Sequence, residues 1–183
     1  MTARQRTWPP QWLMTDERLG GVLWSAIAGL PEGDGGIVFR HYASEPGERE
    51  ALAGEVAQQC RQRGLVLAIA ADAKLAARLG ADLVHNPRES TSLPFSMSVH
   101  TADEARQARE RGAALVFVSP VNATRSHLGR LPLGSAEAAR LAQLSGVPAI
   151  ALGGMDAAAF AALPAGAFRG WAGIDAWLGE NGS

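Results

Sequence analysis

Short apolar runs alternate along this chain with polar or glycine-containing breaks, and then with segments in which Ala and Leu recur at helical spacing. The apolar runs predict eight strands, at residues 11–14, 37–39, 65–70, 83–85, 95–99, 115–118, 149–152 and 168–172. Runs such as LVLAIA and VPAIAL lack alternating polar residues. Such runs are typical of parallel strands that are covered on both faces.

Helical patterns lie between these runs. Residues 48–63 place Leu52, Val56 and Cys60 on one helical face, and residues 72–79 and 135–144 have similar Ala and Leu stripes. Thr101-Ala-Asp-Glu104 has the pattern of a capping box, which predicts a helix directly after the fifth strand. Gly112 is expected to end that helix.

The order of elements predicts an α/β fold, a compact (β/α)8 TIM barrel formed by one domain over residues 1–183. Such barrels usually take roughly 200 to 250 residues, and residues 89–94 leave little room for a helix, so we expect shortened crossovers. The alternative is an open doubly wound sheet. A dinucleotide site in that fold needs a G-x-G-x-x-G turn after the first strand, which is absent.

Composition narrows the function classes. The formal net charge is −1, from 17 basic and 18 acidic residues, so we expect no binding to nucleic acid or to an anionic membrane. No apolar run has the length of a signal peptide or a membrane span. The single cysteine, Cys60, is expected to be structural and fits a reducing compartment. A cytoplasmic protein is therefore predicted.

Polar side chains collect where predicted strands end, the edge that carries the active site in TIM barrels. They are His41, His85, His100, His127, Arg40, Asp72 and Ser98. Each can also be an ordinary hydrogen-bonded loop residue. Histidines can hold zinc or iron, but the His-x-His pair that favours such a site is missing. Magnesium held by Asp72 and by a ligand phosphate is the preferred metal hypothesis.

Glycines and a polar loop point to a bound anion. Gly153-Gly154 follows the seventh strand and Gly173 follows the eighth, where many TIM barrels bind phosphate through backbone N–H groups. The glycine pair can also be a simple tight turn before a helix capped by Asp156, and Asp175 would repel a phosphate. The loop after strand six carries candidate anion ligands, namely Thr124, Arg125, Ser126 and His127.

Four of these segments resemble motifs of the thiamine phosphate synthase family and its TenI-like thiazole tautomerase relatives. WLMTDER resembles the family's first strand, and SMSVHTADEARQA resembles its Ser-x-His motif. VFVSPVNATRSH resembles its G-P-x-x-x-T-x-(S/T)-K loop, and GVPAIALGGM resembles its (I/V)-P-V-x-A-I-G-G motif. GWAGIDAW is a weaker match to the last phosphate-binding strand. The resemblance implies a small (β/α)8 barrel.

The synthases join a pyrimidine diphosphate to a thiazole phosphate and release pyrophosphate, with magnesium. By resemblance, Arg40 matches an arginine of the Q-x-R-x-K motif, Asp72 matches a magnesium ligand, Thr124 matches the loop threonine, and Gly153-Gly154 matches the thiazole-phosphate site. The resemblance therefore implies catalytic roles for Arg40, Asp72, Arg125 and His127. It implies substrate or phosphate binding by Ser98, His100, Thr124, Gly153, Gly154 and Gly173.

Several family positions are replaced. In place of the family's glutamine, lysine and asparagine, this chain has Val38, Tyr42 and Ala71. In place of a second magnesium aspartate, the loop lysine and a phosphate-binding serine, it has Ser90, His127 and Asp175. Pro120 stands where the tautomerases have their histidine. The leading hypothesis is a magnesium-dependent, synthase-like enzyme of thiamine metabolism that acts on small phosphorylated heterocycles. The alternatives are a repurposed, non-catalytic barrel that binds such a ligand, and a histidine-based metal hydrolase. The sequence leaves open a homo-oligomer.

Overall fold

Eight parallel strands form one closed barrel. A computed structural model describes residues 7–123 and 131–178 of the chain. The strands are β1 (Gln11–Met14), β2 (Gly35–Phe39), β3 (Val66–Ala70), β4 (Leu83–His85), β5 (Phe95–Val99), β6 (Leu115–Val118), β7 (Ala149–Leu152) and β8 (Gly170–Gly173). They pair in chain order, and β8 returns to β1. The predicted TIM barrel is thus confirmed, and the pairing of β8 with β1 excludes an open sheet.

Helices of unequal length connect the strands. They are α1 (Leu23–Ala28), α2 (Pro46–Arg63), α3 (Ala73–Leu79), α4 (Ala102–Glu110), α5 (Gly134–Ser145) and α6 (Ala157–Ala161). The patterns at 48–63, 72–79 and 135–144 predicted α2, α3 and α5 correctly to within two residues at each end. The short helix α1 was not predicted, and α6 was expected only under the alternative in which Asp156 caps a helix. The residues that connect β4 to β5 are all described, and they contain no helix. The predicted shortening of this crossover is thus confirmed.

Side-chain caps place two of these helices directly after strands. Thr101 Oγ1 accepts a hydrogen bond from the Glu104 N–H at 3.2 Å, and Glu104 Oε2 accepts one from the Thr101 N–H at 3.1 Å. This reciprocal pair is the predicted capping box. Asp72 Oδ1 accepts from the Leu75 N–H at 2.8 Å and so caps α3. Polar residues at the ends of β3 and β5 therefore start the following helices.

Large apolar side chains fill the barrel interior. One buried cluster joins every strand except β5, through residues that include Trp12, Met14, Val38, Ala68, Leu83, Leu115, Phe117, Ile150 and Ala172. The Trp12 ring packs edge-on against Phe117, with 5.4 Å between centroids. It also lies so close to Gly36 that a Cβ there would be 2.5 Å from the indole. The interior is thus closed below the mouth, so ligands have access only to the ends of the strands.

Two further expectations concern single features. Cys60 is buried on α2, and burial raises the pKa of its thiol to about 12, so the thiolate nucleophile is not formed at neutral pH. The structural interpretation of Cys60 is confirmed. Within the described residues, no helix has both the length and the apolar character needed to cross a membrane.

Candidate functional site

Two neighbouring cavities open at the carboxyl ends of the strands. The first, which we name the glycine pocket, has a volume of about 180 Å³. It is lined by Met14, Arg40, Ser119, Pro120, Leu152, Gly153, Gly154, Met155, Gly173 and Asp175, among others. The second, the arginine pocket, has a volume of about 470 Å³ and is lined by residues that include Tyr42, Arg49, Asp72, Lys74, Arg78, Arg88 and Glu89. Of the predicted site residues, Arg40, Gly153, Gly154 and Gly173 line the first cavity and Asp72 lines the second, whereas Ser98 and His100 line neither.

Arg40 is fixed in the glycine pocket by the loop after β1. Its Nε donates to the Thr15 carbonyl at 2.9 Å, and its Nη2 donates to Asp16 Oδ2 at 3.2 Å. The Arg40 side chain is only 18% exposed. Burial lowers the pKa of Arg40, and the charge of Asp16 opposes that shift. Arg40 thus presents a pre-oriented cation, although part of its charge is already compensated.

Asp16 binds two arginines. Its Oδ2 lies 2.6 Å from Arg18 Nη2 in addition to its contact with Arg40. Burial raises the pKa of Asp16, but the hydrogen bond and charge of Arg18 and the charge of Arg40 outweigh it, so the net pKa is lowered. The hydrogen bond of Asp16 raises the pKa of Arg18, and the charge of Asp175 adds to this shift. Asp175, which was expected to repel a phosphate, therefore stabilises the positive charge of Arg18.

Gly153 and Gly154 let the β6 loop approach the end of β7. A Cβ on Gly153 would lie 2.9 Å from Pro120 Cα, and one on Gly154 would lie 2.7 Å from the Ala123 carbonyl oxygen. Both glycines also have positive φ, at 98° and 59°. The pair therefore has a packing role, and Asp156 does cap the following helix, α6. Its predicted role in phosphate binding stays a prediction, as does that of Gly173, which lines the same pocket.

The loop after β6 was predicted to carry anion ligands. Thr124, Arg125, Ser126 and His127 lie outside the described residues, so their roles stay predictions. The flanks of this loop are described. The Leu133 N–H donates to the Pro120 carbonyl at 2.8 Å, and the Gly134 N–H donates to the Val121 carbonyl at 3.0 Å.

His85 lies inside the barrel in a fixed neutral form. Ser98 N–H donates to Asn86 Oδ1 at 2.8 Å, which orients the Asn86 amide. Asn86 Nδ2 then donates to His85 Nε2 at 3.1 Å, so Nδ1 carries the imidazole proton and donates to Ser96 Oγ at 3.0 Å. Burial lowers the pKa of His85 to about 3, and nearby Arg40 contributes to this shift. A neutral imidazole therefore supports Asn86 and Ser98.

His100 continues this polar group on the next strands. Its Nδ1 donates to the Ser119 carbonyl at 2.6 Å, since a carbonyl only accepts hydrogen bonds. In the neutral ring, Nε2 is consequently the acceptor. Ser98, predicted to bind substrate, contacts His85 Nε2 at 3.3 Å. At the end of β5, Ser98 thus faces His85 and Asn86 after β4, whereas His100 faces Ser119 after β6.

His41 has a different environment from His85 and His100. Thr15 Oγ1 accepts a hydrogen bond from the Arg40 N–H at 3.2 Å and shares a second hydrogen bond with His41 Nδ1 at 3.0 Å. The ring stacks on Phe39 at 4.6 Å, and burial lowers its pKa. Its contacts are those of a buried structural histidine.

Sequence reasoning overlooked Thr15, Asp16, Asn86 and Ser119. Thr15, Asn86 and Ser119 come directly after predicted strands, and Asp16 follows Thr15. Arg40 and His100 also come directly after predicted strands. The same positional rule, applied to β1, β4 and β6, would have found them.

Asp72 lacks the surroundings of a magnesium ligand. Its Oδ1 is used in capping α3, and its Oδ2 faces Arg49 Nη1 at 3.7 Å. In residues 7–123 and 131–178, no three His, Cys, Asp or Glu side chains come together in a way that could hold a metal. A cation beside the carboxylate opposes binding of a second cation. The residues described here therefore do not fit the metal that the resemblance implies.

Comparisons with known proteins agree with the sequence motifs. The family model described as thiamine monophosphate synthase matches residues 16–177. A thiamine-phosphate synthase from Chromobacterium violaceum is 31% identical over 159 residues, covering 79% of this chain and 73% of the relative. One from Thiobacillus denitrificans is 29% identical over 154 residues, covering 78% and 72%.

A solved structure extends the agreement to the fold. The thiamine phosphate pyrophosphorylase from Pyrococcus furiosus superposes with a TM-score of 0.78 at 19% identity, covering 93% of this chain and 87% of that one. At this identity the likeness concerns the fold alone. The family match, which spans most of the barrel, shows that this chain belongs to the thiamine monophosphate synthase family.

Proposed function

We propose that this chain is a thiamine-phosphate-synthase-like transferase that binds a phosphorylated heterocycle across the mouth of its barrel. The observation that carries the proposal is the glycine pocket. There, a partly buried, oriented arginine and three glycines line one cavity at the carboxyl ends of the strands. A cavity of that kind suits a phosphate, because a guanidinium and nearby backbone can both bind its oxygens.

Each described residue has a distinct role in this proposal. Arg40 binds a phosphate group, and its hydrogen bonds to Thr15 and Asp16 hold the guanidinium in place for this contact. Ser98 and His100 bind the polar edge of a heterocycle with a hydroxyl and an imidazole of fixed tautomer. Gly153, Gly154 and Gly173 leave room for the phosphate, and Arg125, His127 and Thr124 add contacts from the β6 loop, as the resemblance implies.

The reaction is the transfer that gives the relatives their name. The bond between the pyrimidine methylene carbon and its diphosphate oxygen breaks, that carbon bonds to the thiazole nitrogen, and pyrophosphate leaves with the electron pair. The residues contribute by positioning two reactants and by stabilising the charge that develops on the leaving group. A neutral His85 suits this task, since it adds no charge to the site.

The test is thiamine phosphate formation from the pyrimidine diphosphate and thiazole phosphate, with magnesium in the assay. Arg40→Gln should lower kcat/KM about 10- to 100-fold, since a charge-assisted hydrogen bond contributes about 1.5–3 kcal/mol. Ser98→Ala should lower it less. Arg140→Gln, which changes an arginine on α5 paired with Glu137, should have no effect.

Two further arms keep the assay informative. Arg40→Lys retains the charge and should recover part of the activity even where Arg40→Gln unfolds, and thermal unfolding reports on folding directly. Arg125→Ala examines the loop residue. Absence of thiamine phosphate above background with wild-type protein would overturn the proposal.

A specific observation favours a second candidate, a repurposed barrel that binds the ligand without reaction. Arg40 already donates to Thr15 and Asp16, and Tyr42 and Asp175 stand where the resemblance expects lysine and serine. Under this alternative, calorimetry should detect binding of thiazole phosphate while the synthase assay stays at background.

A further inference from the structure

Arg49 occupies a position in the arginine pocket that is unusual for a surface helix residue. It belongs to the first turns of α2, yet its side chain is only 13% exposed. Its Nη2 donates to the Ala70 carbonyl at 2.9 Å, at the end of β3. Its guanidinium lies over the Phe39 ring, 5.6 Å from the centroid. Three elements therefore hold this charge in one place.

The charge lies beside Asp72. Arg49 Nη1 is 3.7 Å from Asp72 Oδ2, and Asp72 Oδ1 is engaged with the Leu75 N–H. Both carboxylate oxygens thus face donors from the protein. The resemblance implies a second acidic ligand where this chain has Ser90 and an asparagine where it has Ala71. The oxygen donors that a divalent cation requires are consequently depleted.

The arginine pocket is lined by four cationic and three acidic side chains. Besides Arg49, its described lining includes Lys74, Arg78 and Arg88, against the carboxylates of Glu50, Asp72 and Glu89. Glu50 is paired with Arg78 at 2.9 Å. The net formal charge of the lining is thus +1, and Arg49 supplies the excess, which favours an anion. The guanidinium groups of the pocket match phosphate oxygens in geometry.

We propose that Arg49 takes the place, beside Asp72, of the divalent cation that the family resemblance implies. The arginine pocket then binds a diphosphate without metal. The diphosphate as ligand class rests on the proposed function; the arginine in place of the metal rests on the contacts above. A guanidinium is permanently charged and needs only one carboxylate as its partner. The arrangement thus keeps a fixed cation at the end of β3.

The first experiment measures metal binding without substrate. Mn²⁺, a paramagnetic substitute for Mg²⁺, is titrated with wild-type protein and with Asp72→Asn, and free Mn²⁺ is followed by electron paramagnetic resonance. The expected result is that neither protein removes free Mn²⁺ at concentrations below 1 mM, roughly the range in which a built site of several carboxylates would bind. Binding by wild type that Asp72→Asn abolishes would overturn the proposal.

The second experiment measures the anion. Inorganic pyrophosphate is titrated calorimetrically into the full chain in EDTA, and again in excess magnesium, where the titrant is its magnesium complex. Binding in EDTA is expected, with Arg49→Gln at least tenfold weaker, Arg49→Lys between the two, and Arg140→Gln equal to wild type. Thermal unfolding checks that each variant folds. Binding that requires magnesium, or that is equal in wild type and Arg49→Gln, would overturn the proposal.

The outcomes separate this inference from the proposed function. Pyrophosphate bound in EDTA without any synthase activity would overturn the proposed reaction and leave the role of Arg49 standing. Thiamine phosphate formation that depends on magnesium, together with no pyrophosphate binding in EDTA, would overturn the role of Arg49 and leave the proposed reaction standing.

Discussion

His85 shows how a single residue is set by its surroundings at the barrel mouth. Its ring meets the edge of Phe117 with 5.3 Å between centroids, and its two nitrogens are held by Ser96 and Asn86. Protonating Nε2 would place a donor against the Asn86 amide donor and would bury a charge. The neutral imidazole therefore holds the side chains of Ser98 and Asn86 in position.

Stability should consequently fall in mild acid. The pKa of His85 is about 3 in the fold against an ordinary 6.5, so the unfolded chain binds one more proton between those values. The contribution of neutral His85 to the free energy of unfolding is fully present above pH 6.5 and is lost as the pH falls toward 3. From pH 7 to pH 5 the loss is up to about 2 kcal/mol.

Urea unfolding at pH 7 and pH 5, for wild type and His85→Gln, measures this loss. The variant should lose less stability than wild type over the same interval, whatever its stability at pH 7. His41, whose pKa burial also lowers, contributes in the same direction in both proteins. Equal losses in the two proteins would contradict the assignment.

Gly154 gives a second prediction for a single residue. Gly154→Ala adds a Cβ 2.7 Å from the Ala123 carbonyl oxygen at a φ of +59°, so it should lower the free energy of unfolding by about 1–3 kcal/mol. Urea unfolding measures it. The matched control is Gly54→Ala on α2, where an added Cβ meets no atom within 4 Å. A Gly154→Ala protein as stable as wild type would show that the loop relaxes freely.

At the scale of elements, helix ends decide where the polar residues of the mouth lie. The capping box starts α4 directly after His100, and Glu104 Oε2 also accepts from the His100 N–H at 2.6 Å. The cap therefore holds the backbone of a candidate site residue as well as the helix.

Removing this cap should cost stability. Thr101→Ala should lower the free energy of unfolding by about 1 kcal/mol, since it leaves the Glu104 N–H without its acceptor. Thr101→Ser retains the hydroxyl and should stay close to wild type. A Thr101→Ala loss no larger than that of Thr101→Ser, both measured in urea, would contradict the role of the cap.

The interior of α2 provides a change of the opposite sign. Gly54→Ala replaces a half-buried helical glycine whose added Cβ would meet no atom within 4 Å, so it should stabilise the protein by about 0.5–1 kcal/mol. Thermal unfolding measures the gain. A decrease in the melting temperature would show that Gly54 has a packing role.

The strands and long helices could be predicted because their signals are local. Apolar runs, some with single polar residues inside them, indicated all eight strands. β2 begins two residues earlier than predicted, and β8 begins two residues later because its pairing begins at Gly170. The helix α1 was missed, since LWSAIA reads equally well as a short buried strand. Helix and strand patterns are ambiguous over so few residues.

At the scale of the whole molecule, the candidate site could be predicted only in part. The barrel rule placed Arg40, Ser98 and His100 at the mouth correctly, because strand ends converge there. It also grouped Asp72 with them, and the structure separates Asp72 into the arginine pocket. Arg49 gave no sequence signal, since a single arginine on a polar helix face is usually solvated. Its burial depends on the Phe39 ring and the Ala70 carbonyl, which are distant in sequence.

Phe117 connects the packing of the whole barrel to its mouth. It contacts Trp12 below and His85 above, and it is completely buried. Phe117→Ala should lower the free energy of unfolding by about 3–5 kcal/mol because of the cavity it leaves. Leu131→Ala, at a side chain that is 90% exposed, should change it by less than about 0.5 kcal/mol. Urea unfolding of both variants measures the contrast, and similar small effects would contradict the central role of Phe117.

The paired flanks of the β6 loop have a consequence for how this protein can diversify. Pro120 and Val121 are hydrogen-bonded to Leu133 and Gly134, so the chain leaves the barrel and returns to it at the same point. The entropy of closing such an excursion changes slowly with its length. Segments of other lengths and chemistries can therefore be exchanged between these two anchors while the eight strands keep their pairing, and a new specificity can evolve on an unchanged scaffold.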